Sequence, residues 1–263
     1  FEISAELQDS NAINEIGNLF YKGYGVKKDY HEAKEYYELA AKQNNPNSLI
    51  NLGLMYYNGR GVNVNYLKAK EYWELSAQQN NSIALLYLGE LYKEGIAVKR
   101  DYLKAKEYYE LSGKQNNSVS LLKLGNLYHN GLGVKKDYFK AKEYFELSAK
   151  QNNLEALNNL GLMYYNGRGV PVNYSKAKEY FEITASLNDS NGLLFLGEIY
   201  KEGKAVRPNY LKAKEYYELS SKLNNSEAIY QLGNMYYEGK GFEKNCSKAM
   251  EYYELAARRK TSN

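Results

Sequence analysis

The sequence predicts an all-α protein: an α/α superhelix, or solenoid, of seven 36-residue helix-turn-helix repeats preceded by a partial helix. Three observations carry that prediction. The glycine of a Leu-Gly or Ile-Gly pair recurs at Gly17, Gly53, Gly89, Gly125, Gly161, Gly197 and Gly233, with no insertion between copies. A second glycine follows each at the same distance, at Gly23, Gly59, Gly95, Gly131, Gly167, Gly203 and Gly239. Further on stand Asp29, Asn65, Asp101, Asp137, Asn173, Asn209 and Asn245, always Asp or Asn. A fixed period of this length marks supersecondary units that bury their apolar faces only against neighbouring copies.

Each repeat resolves into elements in chain order. Around the Leu-Gly pair the apolar residues fall at helical spacing, as with Leu49, Leu52, Met55 and Tyr56, and define helix A. The second glycine supplies the left-handed residue that ends it. Two positions on comes a third small residue, Gly except at Ala97 and Ala205, where alanine argues for smallness over positive φ. A plug of Val26, Val62, Val98, Val134, Val170, Val206 or Phe242 closes the turn. The Asp or Asn then caps helix B, a contribution of about 1 kcal/mol by mutational precedent. Helix B runs as Lys-Ala-Lys-Glu-Tyr-Tyr-Glu-Leu or a close variant, with small alanines such as Ala33 and Ala69 for close approach. It ends at Asn-Asn or Asn-Asp, as at Asn44-Asn45 and Asn188-Asp189, because Asn tolerates the left-handed region best after Gly.

The 263 residues carry 35 Lys+Arg against 31 Asp+Glu, spread along the chain, so no dedicated nucleic-acid surface is expected. No apolar run is long enough to cross a membrane, so direct membrane insertion is not expected either. The single Cys246 permits no internal disulfide and favours a reducing, cytoplasmic location, with the secretory lumen as the alternative. Sequons at Asn80, Asn116, Asn173, Asn188, Asn224 and Asn245 would matter only in that lumen. Phe1-Glu2-Ile3-Ser4 aligns with Phe181-Glu182-Ile183-Thr184, so residues 1–9 are expected to be the remnant of a preceding repeat and the chain a fragment of a longer array. Blocks at 53 and 161, 89 and 197, and 125 and 233 repeat three units apart, which reads as duplication of a triplet.

The pattern Leu-Gly-x-x-Tyr-x-x-Gly-x-Gly-Val, followed by Asp-Tyr-x-Lys-Ala and an aromatic pair, resembles the Sel-one-like repeat, a relative of the tetratricopeptide repeat, over essentially the whole chain. It departs in ending helix B with Asn and in lacking the cysteines that staple some secreted bacterial members. The resemblance implies a non-catalytic adaptor or scaffold in multiprotein assembly, in signalling or protein quality control, with helix A lining a concave surface. The positions of helix A that look away from its apolar stripe then become the candidate protein-binding face. They are Asn14, Asn18, Tyr21, Tyr57, Glu90, Lys93, Asn126, His129, Asn158, Tyr165, Glu198, Lys201, Tyr230, Asn234 and Tyr237. Tyrosine offers large contact area with few rotors, and asparagine pairs both groups of an extended backbone. Ile50, Leu54, Leu162 and Leu194 on the same arc are expected to be buried between neighbouring A helices, and Glu90–Lys93 and Glu198–Lys201 are spaced for local ion pairs.

Helix B carries Lys–Glu pairs such as Lys34–Glu38 and reads as a solvated outer face. His31 and His129 form no dyad or metal pair, Trp73 shares the aromatic core position of Tyr37 and Tyr109, and Cys246 replaces a tyrosine and reads as a small core residue. No cofactor is expected. Two other readings stay open: a β-lactamase-like hydrolase of the type credited to cysteine-rich relatives, for which no Ser-Lys or His-carboxylate constellation appears, and a structural array that self-associates end to end.

Overall fold

The computed structural model describes residues 9–260, in which every regular element is a helix. The preceding-repeat remnant expected at residues 1–9 thus lies, except for Asp9, outside the described residues. Fourteen helices are described, two per repeat, in an all-α solenoid arrangement. They fall into two compact units, the first ending at Lys136 and the second starting at Asp137. The first holds α1 (Ser10–Lys22), α2 (Tyr30–Lys42), α3 (Pro46–Asn58), α4 (Tyr66–Ala77), α5 (Ser82–Glu94), α6 (Tyr102–Gly113) and α7 (Ser118–Asn130). The second holds α8 (Tyr138–Ala149), α9 (Leu154–Asn166), α10 (Tyr174–Ser186), α11 (Ser190–Glu202), α12 (Tyr210–Lys222), α13 (Ser226–Glu238) and α14 (Cys246–Lys260). Within each unit every helix packs on the one before and the one after it.

The caps hold as expected. Asp29 accepts hydrogen bonds from the amides of His31 and Glu32, and Asn65, Asp101, Asp137, Asn173, Asn209 and Asn245 each accept one from the third residue on. The Asn pairs serve both neighbouring helices. The first Asn takes the left-handed conformation, φ 59° at Asn44 and 57° at Asn80. The second caps the next helix A: Asn45 accepts from the amides of Asn47 and Ser48. That Asn45 is also buried, and its amide donates to Ser10 Oγ at 3.2 Å and Asn11 Oδ1 at 2.9 Å, tying one repeat to the next.

The repeated Leu-Gly glycine marks where helix B crosses helix A. A Cβ on Gly53 would lie 2.2 Å from Trp73 Nε1, and one on Gly89 2.5 Å from Tyr109 Cε1. The aromatic ring of helix B therefore rests on bare backbone, and Trp73, Tyr109, Phe145, Phe181 and Tyr217 are fully buried. Alanines Ala33, Ala69, Ala105, Ala141, Ala177 and Ala213 complete the close approach. The end of helix B is pinned by Ser76, Ser112 and Ser220, whose hydroxyls donate to the carbonyls of Pro46, Ser82 and Ser190 at the start of their own helix A.

Three expectations need correction. The third small residue of the turn needs positive φ after all: Ala97 and Ala205 sit at φ 59° and 64°. It also needs smallness, because a Cβ on Gly61 or Gly133 would meet Tyr30 Cβ or Tyr102 Cβ of the preceding repeat at 2.7 and 2.4 Å. Cys246 is exposed at the first turn of α14 and fills no core position. The outer face of helix B bears the expected Lys–Glu pairs, at 2.5 to 2.8 Å, but also exposed Leu67, Leu75, Leu103, Leu111, Phe139, Leu211 and Leu219.

Candidate protein-binding face

The arc of helix A divides into positions that are buried, positions that pair with helix B and a row that keeps part of its surface in solvent. Two candidates are closed to any ligand. Asn14 is 3% and Asn158 5% exposed. The Asn14 carbonyl accepts from Ser48 Oγ at 2.9 Å and Asn51 Nδ2 at 3.0 Å. Asn158 accepts from Thr184 Oγ1 at 2.8 Å and donates to Asp189 at 2.7 Å. At this position the side chain points into the junction with the next repeat, where Ile50, Leu122 and Leu194 are buried as the alternative filling.

The position after the Leu-Gly glycine is matched to the aromatic on helix B. Asn18 accepts the hydroxyl of Tyr37 at 2.8 Å, Glu90 that of Tyr109 at 2.5 Å, and Asn234 that of Tyr253 at 2.9 Å. Glu198 stands near Tyr217, whose buried hydroxyl has no hydrogen-bond partner; burial first, then the Glu198 charge, holds that phenol well above its ordinary range. Where helix B instead carries Trp73 or Phe181, the position is Leu54 or Leu162, packed into the core. Asn126, opposite Phe145, is half-buried and falls outside this pairing.

A further row, two residues before the glycine, was missing from the sequence-based face. Asn51 donates to Asn18 at 3.3 Å, Lys123 pairs with Glu90 at 3.3 Å, and Gln231 accepts from Lys201 at 3.0 Å, each reaching back one repeat. Tyr87 stacks on Trp73 at 4.8 Å in the same way. This row lies three residues before that of Asn18, Glu90 and Asn234 and so on the same helix face, a spacing that the sequence displays.

The row four residues after the glycine remains accessible. In the first unit it presents Tyr21, Tyr57, Lys93 and His129, all half-buried. Tyr21 stands edge-on to Tyr30 and its hydroxyl takes a hydrogen bond from the Arg60 guanidinium. Tyr57 packs edge-on against Tyr66 at 5.2 Å and tilted on Trp73 at 5.6 Å. Lys93 pairs with Glu94 at 2.8 Å and with Glu90 at 3.7 Å, and His129 Nδ1 lies 3.1 Å from Asn130 Oδ1. In the second unit the row presents Tyr165, Lys201 and Tyr237. Tyr165 donates to Glu202 at 2.6 Å and accepts from Lys204 at 3.0 Å; burial, then the Glu202 contact, pushes its phenol up to about 12. Lys201 pairs with Glu198 at 2.8 Å, and exposed Tyr237 carries Lys244 over its ring. Tyr230 is exposed and, with Ser226, Glu227, Tyr253, Ala256 and Ala257, lines a cavity of about 540 Å³ between α13 and α14.

Among the described residues no group of three His, Cys, Asp or Glu side chains could hold a metal ion, and no helix is long and apolar enough to cross a membrane.

No curated protein matches the chain. Solved structures do. A Sel1 repeat protein from Oxalobacter formigenes is 28% identical with a TM-score of 0.85, over 93% of this chain and 98% of that one. A protective antigen of uropathogenic Escherichia coli displaying an SLR fold is 32% identical with a TM-score of 0.79, over 95% of this chain; the chain spans 54% of that antigen's length. Yeast Tom70, 14% identical with a TM-score of 0.57 over 99% of this chain and 57% of its own, shares the fold alone. The Sel1 repeat profile matches seven times in succession, at residues 10–45, 46–81, 82–117, 118–153, 154–189, 190–225 and 226–260, in register with the helix pairs. The chain belongs to the Sel1 repeat family.

Proposed function

We propose that the chain is a non-catalytic adaptor that holds a protein or peptide segment along the accessible row of helix A. Sel1 repeats generally mediate protein–protein interaction and typically act as scaffolds, and TPR-like Tom70 shares the fold. The observation that carries the reading is the division of labour on helix A. Asn14 and Asn158 are buried and Asn18, Glu90 and Asn234 accept tyrosine hydroxyls from helix B, while Tyr21, Tyr57, Lys93 and His129 in the first unit and Tyr165, Lys201 and Tyr237 in the second recur as a row that keeps part of its surface in solvent besides its own contacts. Aromatic anchors with few rotors, such as these tyrosines, are among the side chains that dominate protein interfaces.

Peptides selected from a random display library on the intact chain test this. Binding should weaken at least tenfold in Tyr57→Ala or Tyr21→Ala and stay unchanged in variants of the outer helix-B face such as Leu75→Ser. Selected peptides indifferent to every substitution in the row would overturn the reading. The compartment in which the adaptor works, and its place in a longer signalling or quality-control protein, belong to the same proposal, with the cytoplasm favoured by the lone exposed Cys246.

A further inference from the structure

The basic surplus and the exposed aliphatics of the first unit meet on one edge, beside the helix-A row. The turns of the second and fourth repeats sit on the first residue of the preceding helix B, Gly61 on Tyr30 and Gly133 on Tyr102, so turns and helix-B starts come together along a rim within that unit. Along it come Lys27 and Lys28, then Val64 and Leu67, then Lys99, Arg100 and Leu103, then Lys135. Val64 is 52%, Leu67 61% and Leu103 59% exposed, although polar residues would serve as well at these solvent positions. Among the described residues Lys27, Lys28, Lys99, Arg100 and Lys135 form no ion pair, although Lys28 lies over the Tyr30 ring and Arg100 donates to the Glu94 backbone carbonyl, whereas Lys34, Lys70 and Lys106 on helix B are all ion-paired. The acids of the rim, Asp29, Glu32 and Asp101, stay in contact with solvent, two of them also capping helix amides, and are outnumbered by the five rim cations.

We infer that this rim binds the surface of an anionic lipid bilayer. Charge selects an anionic occupant. The aliphatics then select among anions: Val64, Leu67 and Leu103 are exposed along the same edge as the cations, which suits immersion in a fluid interface. A single-stranded nucleic acid, which would stack its bases on aromatic rings such as exposed Tyr24 and Tyr66, is an outcome that the test below tells apart from a bilayer. The rim adjoins the row proposed to hold a peptide, Tyr21 standing edge-on to Tyr30 and Tyr57 to Tyr66, but Leu67, Lys99, Arg100 and Leu103 lie outside that row, so variants there let either proposal fail alone.

Co-sedimentation of the intact chain with vesicles of phosphatidylcholine, with and without phosphatidylserine, tests it. Binding is expected only to the phosphatidylserine vesicles, falling steeply as salt rises. Lys99→Glu with Arg100→Glu should weaken it at least tenfold, and Leu67→Ser with Leu103→Ser several-fold; circular dichroism confirms that each variant is folded. Salt dependence of the unaltered chain supplies an arm that needs no variant. No binding to phosphatidylserine vesicles overturns the inference. So does binding that ignores both variants, or equal capture of an acidic peptide or an oligonucleotide with no dependence on Leu67 and Leu103.

Discussion

The hydroxyl of Tyr109, fully buried on helix B, donates to the carboxylate of Glu90 on helix A of the same repeat at 2.5 Å. Glu90 is held in turn by Lys123 and Lys93. Losing the acceptor strands a buried hydroxyl at a cost of about 1–3 kcal/mol, whereas replacing both partners with apolar groups is nearly neutral. The chain already contains the double replacement as Leu54 with Trp73 and Leu162 with Phe181. In urea unfolding, Glu90→Leu should therefore destabilise by about 1–3 kcal/mol, and addition of Tyr109→Phe should recover most of the loss. Additive losses would show that the pair is not coupled.

That coupling also marks how far the candidate face was legible. The fold was written in the glycine period, the caps and the Asn pairs, because each acts through its own backbone. The use of Asn18, Glu90 and Asn234 as acceptors was not read from the sequence, since their partners Tyr37, Tyr109 and Tyr253 lie on the other helix of the repeat. The signal was present as a matching of Tyr with Asn or Glu, and of Trp or Phe with Leu. Burial of Asn14 and Asn158 had no comparable local signal, because what closes over them comes from the next helix A or the end of helix B.

The turn alanines store strain that glycine would relieve. Ala97 sits at φ 59°, where a Cβ costs roughly 1–2 kcal/mol, partly offset because glycine also gains freedom when unfolded. Ala97→Gly should raise stability by up to about 1 kcal/mol. The reverse change, Gly61→Ala, adds the same strain and a clash with Tyr30, and should lower it by more. Thermal melts of the two variants give opposite signs if the corrected role of this position is right.

Asn45 works at a junction, accepting two helix amides and donating to Ser10 and Asn11 while buried. Asn45→Ala removes a cap worth about 1 kcal/mol and leaves buried groups unpaired, so the loss should exceed that of Asp29→Ala, which caps at an exposed helix start. Hydrogen exchange should show the added opening in α1 and α3; equal losses for the two variants would mean that the ties between repeats contribute nothing.

Alkaline stability gives a separate test of the Tyr165 cluster. The phenol is pushed up to about 12 when folded, against about 10 in an unfolded chain. Its contribution is therefore complete below pH 10 and is lost as pH rises through 12, since the unfolded state releases the proton first. Lys204, raised mainly by its contact with Glu202, acts in the same direction. Tyr165→Phe should lessen the fall in melting temperature between pH 10 and 12, with tyrosinate absorbance in that range reduced by one late-titrating group. An unchanged slope would mean that Tyr165 ionises as freely in the folded protein as in the unfolded chain.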